Sequence, residues 1–163
     1  MKMTTEEAFV KVLQRHGIEH AFGIIGSAMM PISDLFPQAG IHFWDAAHEC
    51  NAGMMADGYT RASGKVCMMV AQNGPGITNL ISAIGGAWLE SRELLVVGGQ
   101  ARTEFLSDSY VRQIGHQQID GRSIVDPISK VSLTITQPLS KAQISQLCRV
   151  SAQGRKGPVF LEI

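Results

Sequence analysis

Apolar positions along this chain repeat with two different periods, and the switches between them mark its elements. Phe9, Val12 and Leu13 fall at helical spacing behind the capping pair Thr4 and Glu7, and Gly17 closes the segment, so the chain opens with a helix. The apolar run 18–24 reads as a strand that enters a glycine-containing turn at Ile25, Gly26 and Ser27. A short helix is expected over 31–36, a short strand over 41–44, and a helix over 49–62 that Gly64 stops. The continuous apolar run 66–71 has the length of a buried strand and breaks at Gln72-Asn73-Gly74-Pro75-Gly76. Positions 78–90 read as helix and 94–98 as a second buried strand. No period survives from 100 to 115, the longest irregular stretch. Positions 132–136 alternate like a strand, 139–152 form an amphipathic helix, and 159–163 form a last apolar strand.

Apolar strands alternating with helices require crossover connections. The expected class is therefore α/β, a mainly parallel sheet with helices on both faces. The 163 residues contain no repeat or linker and suit one domain, and 45% hydrophobic residues are enough for a core. The sequence stops on the apolar strand Pro158-Val159-Phe160-Leu161-Glu162-Ile163, which leads us to expect a domain of a longer protein or a separately encoded subunit.

Charge narrows the partners. Basic and acidic residues balance at 14 each, so no basic surface for nucleic acid is indicated, and the neutral pI suggests that a partner covers part of the surface. Cys50, Cys67 and Cys148 are odd in number and lack metal-ligand spacing, so they read as small packing residues of a reducing compartment. The start MKMTTEEAF has no apolar leader core, and no run reaches the ~18 apolar residues of a membrane span. A soluble, cytoplasmic protein with no membrane partner is expected.

Parallel sheets bind ligands beyond the carboxyl ends of their strands. Three segments should line that edge: the turn 23–28, the strand-to-helix junction His48-Glu49, and the loop 72–76. At a helix start, the Glu49 carboxylate could simply gain about 0.3–1 kcal/mol from the helix dipole. The small residues that follow it (Ala52, Gly53, Ala56, Gly58) imply that a neighbouring helix or a second subunit packs closely. Gly74-Pro75-Gly76 reads either as a tight turn or as a place where backbone approaches a flat ligand. It is not a phosphate loop, and Ser27 is not in a hydrolase elbow. The five histidines show no metal-ligand spacing. His48 suits a structural hydrogen bond better than a proton relay, and the paired methionines suit packing better than a cofactor role.

Three phrases in order carry a resemblance: Phe22-Gly23-Ile24-Ile25-Gly26-Ser27; His48-Glu49 with Ala52-Gly53-Met54-Met55-Ala56-Asp57-Gly58-Tyr59 and Arg61; and Asn73-Gly74-Pro75-Gly76 with Thr78-Asn79. Together they resemble the N-terminal, pyrimidine-binding domain of the thiamine-diphosphate-dependent enzymes that include acetolactate synthase and benzoylformate decarboxylase. The likeness spans nearly the whole chain. The first ~80 residues resemble one acyltransferase branch, and beyond Gly85 the wording is closer to the wider acetolactate synthase group. The resemblance implies an enzyme, a transferase or lyase, that acts on small 2-keto acids or aldehydes. It implies that Glu49 hydrogen-bonds N1′ of the aminopyrimidine and promotes the tautomer that removes the thiazolium C2 proton. By the same alignment Ile25, Gly26 and Ser27 border the pyrimidine, Gln72, Asn73 and Asn79 face the cofactor, and Gln117 approaches the reacting centre as a second catalytic residue.

The family holds the diphosphate and Mg²⁺ in another domain, through Gly-Asp-Gly and a later asparagine. Asp57-Gly58 and Asp120-Gly121 lack the preceding glycine, so no metal ligands are expected in this chain. The expected partners are a diphosphate-binding domain or subunit, in a homodimer or hetero-oligomer, and the chain alone is expected to be inactive. A separately encoded decarboxylase subunit and a non-catalytic scaffold module are the alternatives.

Overall fold

The computed structural model describes residues 3–107 and 110–163. Positions 108 and 109, inside the stretch read as irregular, lie outside the described residues. Strands β1 (His20–Gly23), β2 (His42–Asp45), β3 (Cys67–Ala71), β4 (Leu94–Gly98), β5 (Val131–Thr134) and β6 (Pro158–Glu162) form one sheet in the order β2-β1-β3-β4-β6-β5. Every pairing is parallel, a stricter arrangement than the mainly parallel sheet expected.

Helices α1 (Thr5–Arg15), α2 (Met30–Ser33), α3 (Glu49–Ser63), α4 (Pro75–Leu89), α5 (Gly121–Val125) and α6 (Lys141–Ala152) connect the strands. Alternation along each strand sends side chains to opposite faces, and both faces are covered. Met68, Val70, Leu95, Val97, Val159 and Leu161 pack with Phe9 and Leu13 of α1 and Ile144 and Leu147 of α6. Met69, Leu94, Val96 and Phe160 pack with Ala52 and Ala56 of α3 and Leu80 and Ile84 of α4. This two-sided burial explains why β3 and β4 read as unbroken apolar runs.

The helix stops and caps follow local chemistry. Thr4 and Glu7 form the capping box of α1, and Ser140 and Gln143 form that of α6. Gly17 and Gly64 take left-handed backbone where α1 and α3 end. The helix expected over 31–36 shortens to α2 plus a 3₁₀ turn at Pro37–Ala39, and α4 starts at Pro75, three positions before the expected 78. Pro75 occupies the first turn, where its missing N–H costs nothing. Among its described residues the stretch 100–115 contains one 3₁₀ turn, Thr103–Phe105, and α5 has no counterpart in the expected elements.

The small face of α3 has its explanation inside the chain. Ala52, Gly53 and Ala56 are buried, and a Cβ on Gly53 would stand 2.2 Å from the Ala83 Cβ of α4. The paired methionines divide by element: Met68 and Met69 are fully buried on opposite faces of β3, while Met54 and Met55 are exposed on α3. All three cysteines are free, and burial pushes the Cys67 thiol up to about 12 and the Cys148 thiol up to about 11. Among the described residues no helix is long and apolar enough to cross a membrane.

Candidate functional site

Parallel strands present their carboxyl ends along one edge, so the loops after β1, β2, β3 and β4 converge there. The turn after β1 carries Ile25, Gly26 and Ser27. Gln72, the residue after β3, pins this turn: its Oε1 accepts from the Ala28 N–H at 3.1 Å, and its Nε2 donates to Ser27 Oγ at 3.4 Å. A Cβ on Gly26 would meet the Gln72 side chain at 2.5 Å, so the turn lies directly against it. Ile25 is left partly exposed, an apolar side chain at the lip of the edge.

Glu49 is the first residue of α3. Its helix is capped by His48, whose Nδ1 accepts from the Cys50 N–H at 3.1 Å, so His48 plays the structural part expected of it. The Glu49 side chain is buried, at 8% exposure, and its Oε2 accepts from Asn79 Nδ2 at 2.9 Å. Asn79 and Gly76 lie three positions apart on one face of α4. A Cβ on Gly76 would come 3.4 Å from Glu49 Oε1, so the glycine leaves this oxygen its space. Among the described residues Glu49 has no salt bridge. Burying a carboxylate without a cation costs free energy, and here the α3 N-terminus and the Asn79 amide work against that cost. A buried acid retained on these terms is a candidate for chemistry rather than stability.

Gln117 reaches the same edge from the long loop after β4. Asn73 is buried, and its Nδ2 donates to the His116 carbonyl at 2.6 Å. Gly74 has φ 62°, and a Cβ there would strike the Gln117 carbonyl oxygen at 2.6 Å. Gln117 itself has φ 54°, in the left-handed region that non-glycine residues rarely enter. Such a conformation costs about 1–3 kcal/mol and persists only where its surroundings impose it. Gln118, not Gln117, closes the local turn by accepting from the Ile114 N–H at 3.1 Å. Asn73 Oδ1 is buried with no hydrogen-bond partner among the described residues.

The residues singled out in the sequence thus lie in two linked groups. Ile25, Gly26 and Ser27 sit against Gln72, while Glu49 at the start of α3 meets Asn79 in α4, whose N-terminus follows the Asn73–His116 and Gly74–Gln117 contacts. The edge carries two features an aminopyrimidine would use: a carboxyl group able to share a proton with a ring nitrogen, and the exposed Ile25 side chain for apolar contact. No group of three or more histidine, cysteine or acidic side chains able to hold a metal occurs among the described residues. A cavity of about 330 Å³ borders the edge beside Ser27, Gln100 and Arg102, while an apolar one of about 300 Å³ near Phe9 and Leu139 includes none of these residues. Sequence reasoning passed over Glu162, an acid fully buried at the carboxyl end of β6. Its signal was present: a lone carboxylate inside an apolar strand.

Comparison with known proteins agrees with this fold. The family model described as thiamine pyrophosphate enzyme, N-terminal TPP binding domain, matches residues 3–124. The sulfoacetaldehyde acetyltransferase of Roseovarius nubinhibens is 48% identical over 163 residues, 100% of this chain and 26% of the relative. That of Rhodobacter capsulatus is 59% identical over 120 residues, 74% of this chain and 20% of the relative. The acetolactate synthase of Arthrospira platensis is 35% identical, covering 99% of this chain and 28% of its own length. A solved structure of a Mycobacterium smegmatis protein assigned to the thiamin diphosphate-dependent enzymes superposes with a TM-score of 0.88 at 25% identity, covering 99% of this chain and 31% of that one. The chain spans about a quarter of the length of the curated relatives it matches over its full extent. Fold, motif order and similarity agree: the chain belongs to the thiamine pyrophosphate enzymes, as an N-terminal TPP-binding domain.

Proposed function

We propose that residues 1–163 are the pyrimidine-binding half of a cytoplasmic acyltransferase that converts sulfoacetaldehyde and phosphate into acetyl phosphate and sulfite. The observation that carries the reading is the buried Glu49 carboxylate, unpaired by any cation among the described residues and held at the start of α3 by Asn79. Similarity over the full chain to a sulfoacetaldehyde acetyltransferase supports the choice of substrate.

Thiamine diphosphate, when bound, supplies an electron sink for cleavage beside a carbonyl. Glu49 hydrogen-bonds the pyrimidine N1′ and exchanges a proton there, Asn79 fixing the carboxylate's orientation. Ile25, Gly26 and Ser27 border the ring, and Gln72 keeps that turn in place. Asn73 positions the segment from which Gln117 meets the substrate. Mg²⁺ and the diphosphate belong to a second domain or a partner subunit, in a homodimer or hetero-oligomer, so this chain holds half a site and is inactive alone.

Glu49→Gln in the full-length enzyme tests the reading. Acetyl phosphate formation should fall on the order of 10²–10⁴-fold while the fold is kept; an unchanged rate would leave a scaffold role in its place. Similarity to an acetolactate synthase supports a second reading, in which two 2-keto acids are condensed. Turnover of pyruvate with no turnover of sulfoacetaldehyde would select it.

A further inference from the structure

Segment 116–121 is fastened at three points, each by a side chain from the carboxyl end of a different strand. Asn73, two residues beyond β3, holds the His116 carbonyl at 2.6 Å. Gln100, two residues beyond β4, donates from Nε2 to the Ile119 carbonyl at 2.7 Å. Glu162, the last residue of β6, accepts from the Gly121 N–H through Oε1 at 2.9 Å. The strands β3, β4 and β6 are consecutive neighbours in the sheet, so the three anchors form a row beneath the segment.

Glu162 is the deepest of the three. It is 1% exposed, and its Oε2 accepts from Thr134 Oγ1 of β5 at 2.7 Å. A Cβ on Gly121 would lie 2.6 Å from Glu162 Oε1, so residue and carboxylate are fitted to each other. Burial raises the carboxyl's proton affinity, and hydrogen bonds from Thr134, Gln100 and Gly121 oppose that rise. A hydrophobic side chain would fill a sheet interior at less cost, so the carboxylate is explained by what it holds.

We propose that Glu162 is a positioning residue: through Gly121 it holds the 116–121 segment so that Gln117 keeps its left-handed backbone over Gly74. The proposal rests on the reading that Gln117 faces the reacting centre. It assigns to Glu162 no contact with substrate or cofactor, only the placement of a residue that has one.

The test is a kinetic cycle in the full-length enzyme with Glu162→Ala, Gln117→Ala and the double variant, with Gly121→Ala as a second way of breaking the same contact. Glu162→Ala is expected to lower kcat roughly 10–100-fold, the scale of an ångström-sized misplacement. Affinity for thiamine diphosphate, read by quenching of intrinsic fluorescence, should stay within about twofold, because the Glu49 side of the site is untouched. In the Gln117→Ala background, Glu162→Ala should cost nothing further in kcat, since the two act as a unit. Glu162→Gln, which keeps an acceptor for the Gly121 N–H, should restore most of the rate. Equal losses in both backgrounds, or loss of cofactor affinity along with rate, would overturn the positioning role. If Gln117→Ala leaves kcat intact while Glu49→Gln abolishes it, the positioning proposal falls and the cofactor reading stands. If Glu49→Gln is also silent, both fall.

Discussion

At the scale of single residues, position in the fold decides what each acid does. Glu49, Glu162 and Asp120 all lie at element ends, yet their surroundings differ. Glu49 is buried beside one amide, Glu162 is buried among three donors, and Asp120 caps α5 near solvent. The Asp120 carboxylate accepts from the Ser123 N–H at 3.0 Å, and the hydrogen bonds from Ser123 hold its carboxyl below the ordinary value of 3.8. A carboxyl with a lowered folded value adds stability above its unfolded value and loses it as pH falls through the folded one. Asp120→Ala should therefore cost about 1 kcal/mol at neutral pH, and the gap between variant and parent should close as pH drops below 3.8. Urea unfolding at a series of pH values measures both; a gap constant with pH would show that the ionised cap contributes nothing.

At the scale of elements, the contact between α3 and α4 sets the site's shape. Gly53 allows α3 to approach α4 at Ala83, and the same approach brings Glu49 to Asn79. Gly53→Ala would place a Cβ 2.2 Å from that of Ala83, inside any tolerable contact. The helices must then separate, which should cost about 1–3 kcal/mol and weaken cofactor binding by moving Asn79 away from the carboxylate. A thermal melt and a cofactor titration of the variant check the two effects separately. A variant as stable as the parent would mean that the helices are held apart by other contacts. The structure also chooses between two sequence readings at this scale. The small face of α3 admitted either a neighbouring helix or a second subunit, and the helix that covers Ala52, Gly53 and Ala56 belongs to the same chain. Gly58 and the exposed Met54 and Met55 remain outside that contact.

At the scale of the whole molecule, the described residues offer the buried Glu49 carboxylate and the exposed Ile25 at one sheet edge but no cluster of metal ligands. The chain spans 26% of the length of a full-length relative. Titration calorimetry with thiamine diphosphate and Mg²⁺ should therefore give weak or no binding to this chain alone and tight binding once a diphosphate-binding domain is supplied. Tight binding to the isolated chain would mean that its own residues hold the diphosphate. Absence of binding in both, with the assembly verified, would remove the cofactor from the reading.

The sequence by itself determined the strands, the cap and stops of the long helices it named, and the edge to which the strand ends lead. These follow from short-range rules: continuous apolar runs for buried strands, the capping box at Thr4, and glycine stops at Gly17 and Gly64. Parallel order then places the turn at 25–27, the Glu49 junction and the 72–76 loop together without any coordinate. Only the tertiary structure decided how those parts are fastened. The helix α5 escaped sequence reading because it is 5 residues long, begins with glycine and carries no period. Glu162 gave a local signal but no destination, because its partner Gly121 lies 41 residues away. The left-handed Gln117 and the fit of Gly53 against Ala83 are likewise fixed by neighbours distant in the chain, and sequence periodicity carries no information about which distant atoms meet.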